Sequence, residues 1–475
     1  MNSTNSNLEL SVEEMHKMGS ASLNAVASYI SDLPGSPCSS LENAAGIVRE
    51  LCESAPESGT AFDTLLQFLF ERVIPVSINT AHPAYMGFIP GGGLFPTAIA
   101  DFLASATNRY VGVWIGAPAA ARIEANVLEW FAELMGYPTE ARGILTSGGS
   151  MANFSAIVSA RDHCLGDELS KGTVYLSDQA HHSVAKAAKL AGIAERNIRV
   201  LRTDEKMRAV PDVFDAAIKK DLENGLKPFL VVGNAGTTNS GAVDPLAELA
   251  DVCRKRDLWY HIDAAYGGFF NLCNEGAETL LGVNTADSVT LDPHKGLFLP
   301  YGTGCLLVKD GERLRRAHLL TGEYLQDQFT APGEVNFTEY SPEQSRSFRG
   351  LGVWLPLKLY GLAAFRANLA EKLSLARWLY QRLLLTPGFE CPTNPDLSII
   401  TFRYRPRRGD IEQFNIKLLD HINRTGRLYL SSTRLKGAYV IRVCILSFRT
   451  HQAEVEQALQ VISSEAQNLD SEFDL

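Results

Sequence analysis

The chain has 475 residues, 45% of them hydrophobic and 21% charged, with a formal net charge of −10. That length holds several cores, or one large α/β core with satellites, and the composition is that of a soluble globular protein. The acidic balance argues against non-specific binding to nucleic acid or an anionic membrane surface, and no apolar run approaches the roughly 20 residues of a membrane span.

Cys38, Cys52, Cys164, Cys253, Cys273, Cys305, Cys391 and Cys444 are scattered, with no C-x-x-C pair. Such spacing suits reduced thiols of a cytoplasmic protein better than a disulfide frame or a zinc site, so no metal is expected. The opening stretch MNSTNSNLELSVEEMHKMG has neither the basic region nor the apolar region of a secretory leader, and none is expected.

Residues 1–77 form an expected helical segment, with apolar residues at helical spacing over Val12–Asp32, Ser40–Glu53 and Ala61–Val73. Ser40 offers a helix start and Pro75 a stop. At His82 the texture changes to HPAYMGFIPGGGLFPTAIADFLAS, prolines around three glycines with Tyr85, Phe88 and Phe95 between them. This reads as a loop forming a pocket wall. Arg109, Trp114 and an amphipathic helix over Ala119–Met135 follow.

Then strand and helix alternate. Short apolar runs lie at Gly143–Thr146, Thr173–Leu176, Ile198–Leu201, Phe229–Val232, Trp259–Ile262, Ser288–Leu291 and Cys305–Val308, most of them separated by helical patterns. Such alternation predicts a large α/β domain, residues 78–350, with a mainly parallel seven-stranded sheet that places ligands at the carboxyl ends of its strands. Tyr301 to Tyr340 has little periodicity and reads as a flap. A helix over Trp354–Leu384 leads into a smaller α+β domain, residues 351–475, with strands at Ser398–Tyr404 and Tyr439–Ile445.

Chemistry concentrates at the strand ends. Thr146-Ser147-Gly148-Gly149-Ser150 follows a strand and opens a helix, a backbone arrangement suited to phosphate. His181 lies in SDQAHHSV, where it either caps the next helix or lies flat on an aromatic ligand. Gly236-Thr237-Thr238 forms a hydroxyl-rich turn. Asp263 ends an apolar strand with no basic residue near it in sequence, so a ligand cation is its expected partner. Lys295, after His294 and before Gly296, sits at a strand end where desolvation and neighbouring charge are expected to lower its pKa and make it a nucleophile. A lysine amine, a carboxylate for a ring nitrogen and a phosphate cradle are the parts pyridoxal 5′-phosphate requires.

In this order the motifs SDQAH (177–181), GTT (236–238), HIDAAY (261–266) and DPHK (292–295), with the His82-Pro83 loop, resemble the group II pyridoxal-phosphate-dependent amino acid decarboxylases, the aromatic-L-amino-acid type included. The resemblance runs from about residue 80 to 360, and more loosely to both ends. It implies a type I pyridoxal-phosphate transferase fold and an obligate homodimer, its active sites at the interface and its N-terminal helices wrapped around the partner. It implies that Lys295 holds the coenzyme covalently, Asp263 binds the pyridine nitrogen, and His181 stacks on the ring and also helps protonation at the substrate carbon. Gly149, Ser150 and His294 would hold the phosphate, and Thr237 or Thr238 the ring substituents. A flap tyrosine would return a proton to the substrate carbon; Tyr324 matches that position and Tyr340 is the fallback. Phe88, Trp114 and His82 would line an aromatic pocket, whereas Arg109 would favour an acidic substrate. The expected reaction is decarboxylation of an aromatic L-amino acid to its amine, the alternatives being an acidic substrate or a decarboxylating aldehyde synthase. Three departures from the family wording stand out: Asp292 where Asn is common, Gly296 after the lysine, and Gly148-Gly149-Ser150 in place of S-A-S.

Overall fold

The computed structural model describes residues 8–319, 331 and 333–472. Its main sheet comprises β1 (Arg142–Thr146), β2 (Gly172–Ser177), β3 (Ile198–Leu201), β4 (Lys227–Asn234), β5 (Trp259–Asp263), β6 (Ser288–Leu291) and β7 (Gly304–Val308). The strand order is β1-β7-β6-β5-β4-β2-β3; β7 runs antiparallel to both its neighbours, and the remaining pairings are parallel. Helices cover both faces, which is why β2, β5, β6 and β7 are buried along their whole length and read in sequence as unbroken apolar runs. The doubly wound sheet is the α/β fold that the alternation predicts.

A second, antiparallel sheet of order β10-β11-β9-β8 is built from β8 (Phe389–Glu390), β9 (Ile399–Tyr404), β10 (Ser431–Leu435) and β11 (Ala438–Cys444). The sequence reading misses β8 and β10. β8 is two residues long, and β10 (SSTRL) is a polar edge strand that buries only alternate positions. Its core takes in Ala84, Tyr85 and Met86 of the glycine-proline stretch, so Tyr85 is a core residue, 2% exposed, and not pocket wall. The two cores divide within the long helix Arg349–Leu385, which breaks once at Gly361 (φ 72°, ψ 156°): Leu373 belongs to the first and Leu375 to the second.

Other expectations need correction. The stretch read as loop becomes a helix from Phe95 to Thr107; Pro96 lies in its first turn, where a missing N–H does no harm, so the proline starts this helix instead of preventing it. In the N-terminal segment, Val12–Asp32 is helical as expected, with Ser11 and Glu14 forming a reciprocal cap. Ser40 starts no helix: its N–H donates to the Ser77 carbonyl, 3.1 Å, and the helix there is only Ala44–Glu50.

One buried ion pair ties the segment after the flap to the main sheet. Arg346 and Glu124, both with fully buried side chains, meet at 2.5 Å, and Arg346 also donates to the Leu145 carbonyl, 3.1 Å, near the end of β1. Arg346→Met would leave Glu124 an uncompensated buried carboxylate, so stability should fall by about 3–5 kcal/mol. Equilibrium denaturant unfolding measures this; a loss no larger than that of an exposed pair would show that the contact does not pin the segment.

Candidate active site

The carboxyl ends of β1, β2, β4, β5 and β6 open on one cavity of about 250 Å³. It is lined by Gly149, Ser150, His181, Thr237, Thr238, Asp263, His294 and Lys295, so residues far apart in the chain meet because parallel strands deliver their following loops to the same edge.

The turn after β1 enters the helix Gly149–Leu165 with Gly148 at φ 152°. A Cβ on Gly149 would lie 2.9 Å from Asp292 Oδ2 and 3.2 Å from Ala265 Cβ, so the helix start needs glycine to pack this closely. Free N–H groups at that helix start give the cavity a positive end suited to an anion.

Asp263, 8% exposed, ends β5 facing the cavity. Its Oδ2 accepts from Asn153 Nδ2 at 2.9 Å and its Oδ1 from the Ala265 N–H at 3.1 Å. Asn153 also accepts through Oδ1 from Thr290 Oγ1, 2.7 Å, and lies 3.1 Å from His261 Nε2. Burial lowers the pKa of His261 to about 4, with the Asp263 charge acting the other way. The imidazole is therefore neutral at pH 7, and the carboxylate must look elsewhere for a cation.

Lys295 departs from the sequence expectation. Burial alone would lower its pKa, but Asp292, with Nζ 2.8 Å from Oδ2, and Asp263 behind it outweigh that, and the net shift is upward. The lysine is therefore an ammonium in this state. Sequence reasoning treats Asp292 only as a departure from common wording; it is the lysine's ion-pair partner, spaced three residues away on the short helix Pro293–Gly296.

His181 caps the helix His182–Leu190, its Nδ1 accepting from the Ser183 N–H at 3.3 Å and meeting Ser183 Oγ at 2.8 Å. Capping and lining the cavity are thus the same placement. Burial lowers its pKa first of all, so the ring is neutral at pH 7, with its proton on Nε2. His294 is fixed the other way round: Nδ1 lies 2.6 Å from the Thr303 carbonyl and must donate to it, which turns Nε2 toward Asp292 Oδ2 at 3.7 Å.

Several expected residues lie elsewhere. His82 is 5% exposed, with Nδ1 3.0 Å from Cys38 Sγ, in the second core and not at the cavity. Phe88 is 55% exposed at φ 46°, Arg109 is exposed, and Trp114 packs against the main core with its N–H donating to Asn336 Oδ1, 2.8 Å; none of the three lines the cavity. Tyr340 packs beside Arg142, which opens β1, whereas the cavity lies at the other end of that strand, roughly 13 Å away at ~3.3 Å per residue. Tyr340 is therefore not a site residue in this chain. Tyr324 lies outside the described residues. Asn153 is the residue sequence reasoning overlooks: it stands four positions into the helix from Gly149, and that spacing returns it to the same face.

The model of the pyridoxal-dependent decarboxylase conserved domain matches residues 46–405. An aromatic-L-amino-acid decarboxylase of Bacillus atrophaeus is 38% identical over 468 residues, covering 98% of each chain. A phenylacetaldehyde synthase of Arabidopsis thaliana is 30% identical, covering 96% of each. Among solved structures, Oryza sativa TDC with PLP and tryptamine matches with a TM-score of 0.93 at 27% identity, over 98% of this chain and 100% of that one.

Asn153→Ala removes the donor to Asp263 and strands Thr290 and His261. It should cost about 1–3 kcal/mol of stability, the penalty of buried polar groups left unpaired. Thermal and denaturant unfolding of the coenzyme-free protein check this, and an unchanged midpoint would show that the network is slack.

Proposed function

The chain belongs to the pyridoxal-dependent decarboxylase family, and on that premise we propose that it decarboxylates an aromatic L-amino acid to the amine and carbon dioxide. It is a carboxy-lyase with a type I pyridoxal-phosphate fold, and its coenzyme is pyridoxal 5′-phosphate. The cavity fits that group in three independent respects: a glycine-built helix start for the phosphate, a carboxylate for a ring nitrogen that has only a share of the Lys295 ammonium, and a primary amine within the same 250 Å³. The observation that carries the reading is Asp263 and Lys295 opening on one cavity.

In this reading Lys295 holds the coenzyme through its amine. Gly149 and Ser150 receive the phosphate with His294 beside them, and His181 lies against the ring. Thr237 and Thr238 face the ring substituents. Asp263, fixed by Asn153 and the Ala265 N–H, keeps a proton at the pyridine nitrogen. When bound, the coenzyme supplies the electron sink for the pair left behind by carbon dioxide. His181, neutral with its proton on Nε2, can donate a hydrogen bond into the cavity without adding charge. Tyr324, which lies outside the described residues, remains the candidate for returning a proton to the substrate carbon.

The aromatic substrate class is supported by an aromatic-L-amino-acid decarboxylase relative that covers 98% of the chain. We place the working enzyme as a homodimer in the cytoplasm, with residues 1–77 lying on the partner and 78–350 and 351–475 as its other two units. Leu23 (51% exposed), Val48, Phe102, Leu359 and Tyr360 leave apolar surface uncovered in a single chain, and a second copy would cover it. Phe88 and Trp114 would then belong to pockets completed across that interface. Eight free thiols fit a reducing compartment.

Purified protein offered phenylalanine, tyrosine, tryptophan, glutamate and aspartate should release carbon dioxide and the matching amine from one or more of the aromatic three. Turnover confined to glutamate and aspartate, or aldehyde and peroxide as main products, would overturn the reading. After borohydride reduction the wild type should carry one covalent coenzyme per chain by mass spectrometry, and Lys295→Ala none. Light scattering should give twice the mass of the chain.

A further inference from the structure

We propose that Asp292 is the proton acceptor that turns the Lys295 ammonium into a free amine when the coenzyme enters, and that it stays a neutral carboxylic acid while a phosphate shares the cavity. The inference rests on the reading of Lys295 and the Gly149 helix start given above, and goes beyond it in assigning a role to a residue that reading leaves idle.

The geometry has four parts. Asp292 is 2% exposed and its Oδ2 lies 2.8 Å from Lys295 Nζ, so a proton can pass directly between them. Among the described residues its Oδ1 is buried with no hydrogen-bond partner, an arrangement a carboxylate tolerates badly and a neutral acid tolerates well. The carboxyl lies against Gly149, where a Cβ would come within 2.9 Å of Oδ2, so it shares the helix start with whatever anion sits there. His294 Nδ1 is committed to donating to the Thr303 carbonyl, so its Nε2, 3.7 Å from Asp292 Oδ2, is the ring nitrogen turned toward the carboxyl.

The charges around Asp292 point the same way. On its own turn stand Lys295 and His294. From β5 comes Asp263, from the helix after β2 comes His181, and from β7 the thiol of Cys305, whose pKa burial pushes up with Glu124 and Asp292 adding to it. Lys295 is the ammonium in this set, facing two carboxylates. Capture of the coenzyme would draw on that charge: the ammonium would give one proton to Asp292, and the free amine would condense with the coenzyme aldehyde, a carbon–nitrogen double bond forming as one water leaves. The phosphate then adds negative charge beside a carboxyl that has lost its counter-ion, and like charge at short range favours the protonated acid.

The test follows protonation and not turnover. Difference infrared spectra of wild type, loaded minus coenzyme-free and assigned with carbon-13-labelled aspartate, should gain one carboxylic acid carbonyl band on loading with pyridoxal 5′-phosphate. Asp292→Asn should lack it, and should capture the coenzyme at least about a hundredfold more slowly at neutral pH by stopped-flow absorbance, as loss of a general base predicts. Pyridoxal without phosphate should form the covalent link with a weaker acid band. The wild-type spectrum decides even if the variant fails to fold. No acid band in loaded wild type, an equal band with pyridoxal, or capture by Asp292→Asn at the wild-type rate would each overturn the proposal. If instead wild type gains no covalent coenzyme after borohydride, the reading of Lys295 fails first, and separately.

Discussion

Two carboxylates end neighbouring strands of a buried sheet, and one ammonium faces them. Asp263 and Asp292 follow β5 and β6, are 8% and 2% exposed, and share Lys295. Burying one carboxylate is unfavourable, and burying two side by side is far more so unless cations or donors hold them. Every other feature of the cavity answers that demand. Asn153 and the Ala265 N–H take the oxygens of Asp263, Lys295 takes Oδ2 of Asp292, and one oxygen is left with no partner. A site with an excess of acceptors and a helix start pointing into it is incomplete without a ligand carrying both a protonated nitrogen and an anion.

The same demand explains how the elements are held. Asn153 can reach Asp263 only if the helix Gly149–Leu165 lies close over the sheet, and a glycine at its start permits that approach. Thr290 and Ser288 of β6 and His261 of β5 are polar residues in fully buried strands, yet each is bonded: Thr290 and His261 to Asn153, and Ser288 Oγ to His261 Nδ1 at 2.8 Å. These strands carry polar side chains on the face under the helix because the carboxylate at their end must be oriented from below. Neutral His261 relays hydrogen bonds without supplying charge, so Asp263 has only its share of the Lys295 ammonium.

The sequence makes legible whatever is repeated along it or set by local chemistry. The seven strands of the main sheet fall within a few residues of their apolar runs, since burial on both faces writes itself as composition. The motif residues Gly149, His181, Thr237, Asp263 and Lys295 meet because parallel strands point their following loops to one edge, and that rule needs only the order of elements. What is not legible depends on side chains meeting across the fold. The sign of the Lys295 shift turns on whether Asp292 points inward, which a spacing of three residues allows and does not force. β10 looks like loop because an edge strand may be polar. Phe88, Trp114 and Arg109 read as pocket wall from their aromatic and basic character, and in the chain they stand on its surface or against its outer core; a residue's type says what it can contact, not what it meets in the fold.

The glycine-proline stretch shows how such a reading is right about close approach and wrong about its object. A Cβ on Gly91 would collide with the carbonyl oxygen of His294, and one on Gly92, at φ 91°, would lie 2.7 Å from Ser447 Oγ and 2.9 Å from Phe448 Cδ1. The glycines therefore bring backbone up to the lysine-bearing turn on one side and, on the other, to the segment after β11, where Phe448 packs against the first core. Arg442, 3% exposed, holds the end of this stretch by donating to the Phe88 carbonyl at 2.7 Å while its Nε donates to the Thr238 carbonyl at 2.8 Å. Phe88 and Thr238 are 150 residues apart, one before the wedge and one in the hydroxyl turn of the cavity, and a single guanidinium from β11 spans them. A displacement of β11 and the segment after it would thus reach the lysine-bearing turn through the glycines and Thr238 through Arg442 together. The turn carrying the amine and the hydroxyl turn of the cavity are held to one support, so their separation is set by how β11 and the segment after it pack against the main sheet.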